Sequence, residues 1–185
     1  GQPALHVEAL AMVIELSRRL GDGPTAAAFA RRAARLAPKS ALARVLAANA
    51  LAEAGFPDEA LAQALAALAL LRAPDSLDTF RLAAGLIDAC CGAKAWGAAW
   101  RDGASVTGCL RRLSPTPPEV LVLADGVLVG RAAATPLAGL PALGGFRLAL
   151  PGALDAARLE AVRADDGIPL FGSPLAANPA EACHG

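Results

Sequence analysis

Residues 21–38 read GDGPTAAAFARRAARLAP and residues 55–74 read GFPDEALAQALAALALLRAP, and the two stretches share one frame. Gly21 and Gly55 stand 34 residues apart, as do Ala26 and Ala60, and again Ala33 and Ala67. Pro38 and Pro74 close the stretches at a spacing of 36, so the second unit is two residues longer there. Self-similarity at this period marks a supersecondary unit stacked on its neighbours. Each unit reads as helix, glycine turn, helix, proline stop. The helices are expected over residues 5–20 and 24–36, then 41–54 and 57–71.

The residue types fit those positions. Gly21 and Gly55 fall where a helix ends and the chain needs a left-handed cap. Pro24 and Pro57 sit at the start of the next helix, where a missing N–H costs little. Asp58 and Glu59 suit the positive end of the second unit's helix dipole. The alanines shared by the units are small because the two helices of a unit must approach closely. A third unit starts at about Leu77, with Asp75 or Ser76 as N-cap. Its first helix is expected to run to Cys91, with Gly92 as the turn and residues 93–100 as a short second helix.

Beyond Arg101 the composition shifts to Val, Gly and Pro in short apolar runs, which reads as strands. Asp125-Gly126 between residues 119–124 and 127–133 is a strong hairpin signal. Val127, Val129 and Arg131 alternate with Leu128, Gly130 and Ala132, so at least one face of that strand should be buried. Further strands are expected over residues 106–113, 146–150 and 158–163, with residues 168–172 closing the set. Residues 135–144 read as a Pro- and Gly-rich loop, Asp165-Asp166-Gly167 as a solvated turn, and residues 153–156 as a strand connection or a helical turn. The fold class is multidomain α and β: an N-terminal α–α superhelix of about two and a half hairpins, then a small antiparallel β-sandwich-like module. The expected division is residues 1–102 for the helical domain, 103–178 for the β-module and 179–185 for a flexible tail.

Over residues 4–100 the chain resembles the tetratricopeptide repeat family. Counting from Val7, Gly21, Ala26, Ala33 and Pro38 match the family's small and proline positions; counting from Ala41, Ala48, Gly55, Ala60 and Ala67 do so. The family's aromatic positions hold Leu10, Ser17, Arg44 and Leu51 instead, and Ile14 is larger than the pattern asks. The resemblance implies a groove lined by the first helix of each unit. That face would carry Glu8, Ala11, Glu15, Arg18 and Arg19, then Val45, Asn49 and Glu53, then Thr79, Leu82 and Leu86. Asn49 takes the position at which clamp-type members hold a peptide backbone or carboxylate, while the full Lys and Arg set of such a clamp is absent.

The second half resembles a β-module that accompanies bacterial glycosyltransferases and polysaccharide-related proteins. The residues behind this are Val106-Thr107-Gly108, Leu123-Ala124-Asp125-Gly126, Gly145-Phe146, Leu150-Pro151 and Leu170-Phe171-Gly172-Ser173-Pro174. These are turn and core positions without chemistry of their own.

The whole chain has 185 residues, 55% of them hydrophobic, with 17 basic residues against 17 acidic and only 4% aromatics. A neutral balance argues against nucleic acid or an anionic membrane as partner. The longest apolar run, residues 60–71, is broken by Gln63 and falls short of the roughly 20 residues of a spanning helix. No basic stretch followed by an apolar one opens the chain, so no signal peptide is expected and a reducing, cytoplasmic setting is the default. The chain opens on Gly1 rather than Met, as a piece of a longer protein would.

Cys90, Cys91, Cys109 and Cys183 form no C-x-x-C pair, and His6 and His184 lie at opposite ends, so no metal or cofactor is expected. Adjacent Cys90 and Cys91 read as small buried residues late in a helix. Ser173 has no internal histidine to serve as its base, and no nucleotide or hydrolase motif is present. Trp96 and Trp100, four apart, are expected on one face of the short last helix, plugging the junction between the two halves; stacking on a sugar ring is the other use of such a pair. The expected function is non-catalytic binding or scaffolding of a protein or peptide. The rival is an accessory region of a glycosyltransferase or polysaccharide-biosynthesis protein, with carbohydrate as ligand.

Overall fold

The computed structural model describes residues 2–71, 77–92, 94–113, 116–151 and 158–175. The chain forms two compact units, Gly1–Ala93 and Lys94–Gly185.

The first unit holds α1 (Gln2–Arg19), α2 (Gly23–Leu36), α3 (Ala41–Glu53), α4 (Pro57–Leu70) and α5 (Leu77–Cys90). The turns after α1 and α3 are built alike. Asp22 N donates to Ser17 O at 2.9 Å and Gly21 N to Arg18 O at 3.0 Å; Phe56 N donates to Leu51 O at 2.9 Å and Gly55 N to Ala52 O at 3.1 Å. Gly21 (φ 72°) and Gly55 (φ 85°) take the left-handed conformation that this pattern of hydrogen bonds requires. The sequence repeat is therefore also a repeat of backbone hydrogen bonds. Asp22 accepts from Thr25 N at 3.1 Å and Ser40 Oγ from Ala43 N at 3.2 Å, capping α2 and α3. Asp75 and Ser76, expected to cap α5, and the Pro74 stop lie outside the described residues.

Each helix packs on the next, and α1 also meets α3, as α3 meets α5. The odd-numbered helices thus form a row. Leu10 and Ile14 of α1 pack into a core with Ala27, Ala30 and Ala33 of α2, Ala47, Ala50 and Leu51 of α3, and Ala60 of α4. Methyl-sized side chains at these contacts let the helix axes approach to the close end of the usual range, about 8 Å.

The second unit holds β1 (Gly97–Asp102), β2 (Ser105–Arg111), β3 (Glu119–Ala124), β4 (Val127–Ala133), β5 (Thr135–Leu137), β6 (Leu140–Ala149) and β7 (Leu159–Arg163). They form two antiparallel sheets of order β1-β2-β6-β5 and β4-β3-β7. One core joins Ala99, Val106, Leu110 and Phe146 of the first sheet to Val120, Val122, Ala124, Leu159 and Ala161 of the second. Residues 169–175 run between the sheets' edges: Ala99 N donates to Phe171 O at 2.9 Å, and Leu175 N to Leu159 O at 2.7 Å.

Several expectations need correction. The second helix of the third unit does not form, because residues 97–100 belong to β1. A Cβ on Gly97 would come within 2.7 Å of Leu170 Cδ2, so the glycine serves strand packing, and Asp102-Gly103 lies at the β1–β2 turn. The boundary between the units accordingly falls after Ala93 rather than after Asp102. Residues 135–144 are not a plain loop but contain β5 and the start of β6. There Gly144 lies against Ala134 O (2.8 Å to an added Cβ) and Gly145 against the Leu137 side chain (2.6 Å), so the glycines mark close approach instead of turns. One face of β4 is covered only in part: Val129 and Ala132 pack against the core, and no residue of the strand is fully buried. A register shift pairs Val122 with Gly130 and Leu123 with Leu128, leaving Val129 as an extra residue that breaks the alternation. The segments expected at 153–156 and 179–185 lie outside the described residues.

Candidate functional site

The face of α1, α3 and α5 brings together part of the expected groove set. Glu15 accepts from Arg18 Nη1 and from Arg19 Nε, both at 2.8 Å. Arg18 also donates from Nε and Nη2 to the two carboxylate oxygens of Glu53, tying α1 to α3. The hydrogen bond from Arg19, with the Arg18 charge beside it, holds the Glu15 carboxyl below its usual range; Glu53 pushes Arg18 further up. Four of the eleven expected groove residues are therefore one ion-pair network, with Arg19 the most open of them at 75% side-chain exposure. Glu8 is exposed on α1 and Asn49 half-buried on α3. Val45 does not line an open face: it is 3% exposed, because α3 is flanked by both α1 and α5. On α5, Leu82 is exposed and Thr79 and Leu86 are half-buried.

The second unit carries a hollow of about 490 Å³ that the sequence did not reveal. Trp96, Leu113, Pro117, Pro118, Glu119, Arg163 and Asp165 line it. Arg163 holds Asp165 with a forked pair of hydrogen bonds, Nε to Oδ1 at 3.0 Å and Nη2 to Oδ2 at 2.6 Å, and reaches Asp166 at 3.2 Å. The guanidinium keeps the Asp165 carboxyl below its usual range, and Asp165 in turn raises Arg163. The expected turn at Asp165-Asp166-Gly167 is present, with Gly167 at φ 71°, but its aspartates serve this arginine. The hollow draws on four separate segments, and a sequence motif cannot signal such an assembly. Its one partial trace was the proline run around Pro117-Pro118.

Trp96 stands just before β1 and Trp100 within it, neither of them on a helix. The Trp96 carbonyl accepts from Arg111 N at 2.9 Å and its side chain is buried; Trp100 lies in β1 opposite Thr107 and is half-buried. A spacing of four puts two residues on one face of a helix and also on one face of a strand, which is why the pair did not discriminate.

Ser173 is occupied and Cys109 shielded. Ser173 Oγ donates to Ala161 O and accepts from Ala161 N, both at 2.9 Å. Burial pushes the Cys109 thiol up to about 12. Cys90 and Cys91 are half-buried rather than buried, and no bond joins them. Among the described residues no three His, Cys, Asp or Glu side chains converge as a metal site, and no helix is long and apolar enough to cross a membrane. No protein-family model, no curated protein and no solved structure matches the chain.

Proposed function

We propose that the helical unit is a tetratricopeptide-type array that binds a segment of another protein, without catalysis, along the row formed by α1, α3 and α5. The observation that carries this reading is that row itself. Its three helices stand side by side, α1 tied to α3 by Arg18 and Glu53 and α3 packed on α5, and present Glu8, Arg19, Asn49 and Leu82 on exposed or half-buried positions. A mixed polar and apolar strip of this kind suits an extended peptide, whose backbone needs donors and acceptors while its side chains need apolar contact. Asn49 offers both a donor pair and an acceptor to a peptide backbone.

A second reading has one observation in its favour. The hollow beside Trp96 presents apolar surface together with a pre-ordered arginine–carboxylate pair, a combination that fits the hydroxyls and ring faces of a saccharide. In that reading the β-unit is the accessory part of a glycosyltransferase or polysaccharide-related protein.

Peptide and glycan arrays probed in parallel separate the two. The peptide reading expects hits among peptides, and Asn49→Ala should weaken the best of them about tenfold in a calorimetric titration, the equivalent of about 1.4 kcal/mol. Unchanged affinity in that variant, or hits confined to glycans, would overturn it.

A further inference from the structure

Helix α1 is apolar on two faces. Leu10 and Ile14 are buried in the helical core, at 9% and 3% exposure. On another face Met12, Leu16 and Leu20 are 75%, 59% and 74% exposed. Leu20 N still donates to Leu16 O at 3.0 Å, so the helical path continues through it and a spacing of four aligns the three as one stripe. A surface helix that needed only its core face would carry polar residues here; large apolar side chains in a row mark a docking face.

The internal repeat indicates what belongs on that face. One period of 34 residues later the same positions are Leu46, Ala50 and Ala54 on α3 and its cap. Ala50 is 1% exposed, packed in one core with Leu10 and Ile14 of α1 and the alanines of α2. On α3, then, other helices cover this face. On α1 it carries longer side chains, as suits a looser joint than the alanine-lined one between α2 and α3.

We propose that this stripe joins two copies of the chain, with α1 lying antiparallel to its counterpart across a two-fold axis at Leu16. The stripe is self-complementary about that point: Met12 meets the second copy's Leu20, and Leu16 meets Leu16. The charges beside it agree. Glu15 and Arg19 lie on one flank of the stripe, one residue before the axis and three after it. Reversal therefore brings each Arg19, already bonded to its own Glu15 at 2.8 Å, to within two residues of rise, about 3 Å along the axis, of the opposite Glu15, so that the two pairs adjoin. Equal numbers of acidic and basic residues, 17 of each, remove any net repulsion between copies. Two turns of helix make a small interface, so the dimer is of the weak, concentration-dependent class.

Sedimentation velocity of the full chain over roughly 5–500 µM tests this. A concentration-dependent shift from monomer to dimer is expected, and Leu16→Glu should weaken it at least tenfold. Leu16 is solvent-facing, and far-ultraviolet circular dichroism on the variant checks that the helices remain. Met12→Lys, at the stripe's end, should weaken the dimer in the same direction. A chain that stays monomeric to the highest concentration overturns the proposal. So does a dimer that Leu16→Glu and Met12→Lys leave unchanged.

Discussion

Gly108 and Gly21 both have to be glycine, for unrelated reasons. A Cβ on Gly108 would sit 2.2 Å from Ala98 O and 2.6 Å from the Phe146 ring, inside the β1–β2–β6 ladder. Neither a backbone carbonyl nor a core ring can move aside cheaply. Gly108→Ala should cost the second unit about 3 kcal/mol, the upper end of the range for overpacking. Gly21 has nothing within 4 Å of the same added atom, but its φ of 72° disfavours a side chain. Gly21→Ala should cost the helical unit only about 1 kcal/mol. Urea titrations of the two variants check the difference, and comparable losses would contradict it. The sequence made one of these roles readable and hid the other. Gly21 recurs 34 residues later at Gly55, which exposes a turn, whereas Gly108 sits in an apolar run whose neighbours across the sheet come from distant residues.

Helices α2 and α3 begin on a side-chain cap and α4 does not, and their first turns differ accordingly. Ser40 caps α3 through Ala43 N, Asp22 caps α2 through Thr25 N, and Phe56 offers α4 no side-chain cap. Phe56 instead lies under the Arg31 guanidinium, 4.6 Å from its ring centroid, while Arg31 grips Glu59 with two bonds of 2.7 Å. Ser40→Ala should lower the stability of the helical unit by about 1 kcal/mol, read from the midpoint of a urea titration followed by helical circular dichroism. The Asp22 cap adds a pH dependence of defined sign. Its hydrogen bonds from Thr25 hold the carboxyl below the ordinary aspartate range, so the cap's contribution is present in full above that range. It fades as the pH falls through the folded-state value, and Asp22→Asn should flatten that part of the acid limb. At this scale the helices from 5 to 71 were legible because caps, glycine turns and alanine faces all agree locally. The stretch from 93 to 100 misled for the opposite reason. Alanines and a Trp pair at a spacing of four favour a helix locally, while the partners that make 97–102 a strand, β2 and Phe171, come from later in the chain. Tertiary pairing overrides propensity there.

The two units rest on cores of different grain, and that difference has a measurable consequence. The helical unit packs mainly alanines: Ala26, Ala27, Ala30 and Ala33 in α2, Ala47 and Ala50 in α3, Ala60, Ala64 and Ala67 in α4. The second unit packs Val106, Leu110, Val120, Val122, Phe146, Leu159 and Leu170. Each buried methylene contributes about 0.8 kcal/mol, so an alanine core gains less per ordered residue than one of Val, Leu and Phe. The repeat period made the first unit's architecture readable at this scale. The second unit's two hairpin strands, 119–124 and 127–133, were also placed correctly. Its hollow was not, because burial of Trp96 and the grip of Arg163 on Asp165 exist only once four segments meet. Both tryptophans of the chain lie in the second unit and, among the described residues, all five helices in the first, so two optical probes report the units separately. In a urea titration of the intact chain the helical circular dichroism should be lost before the tryptophan emission shifts. With the slopes usual for small domains, a gap of at least ~0.5 M corresponds to about 1 kcal/mol between the units. Coincident curves would mean that the units unfold as one cooperative body. In that case the alanine core would be drawing stability from the β-unit rather than standing on its own packing.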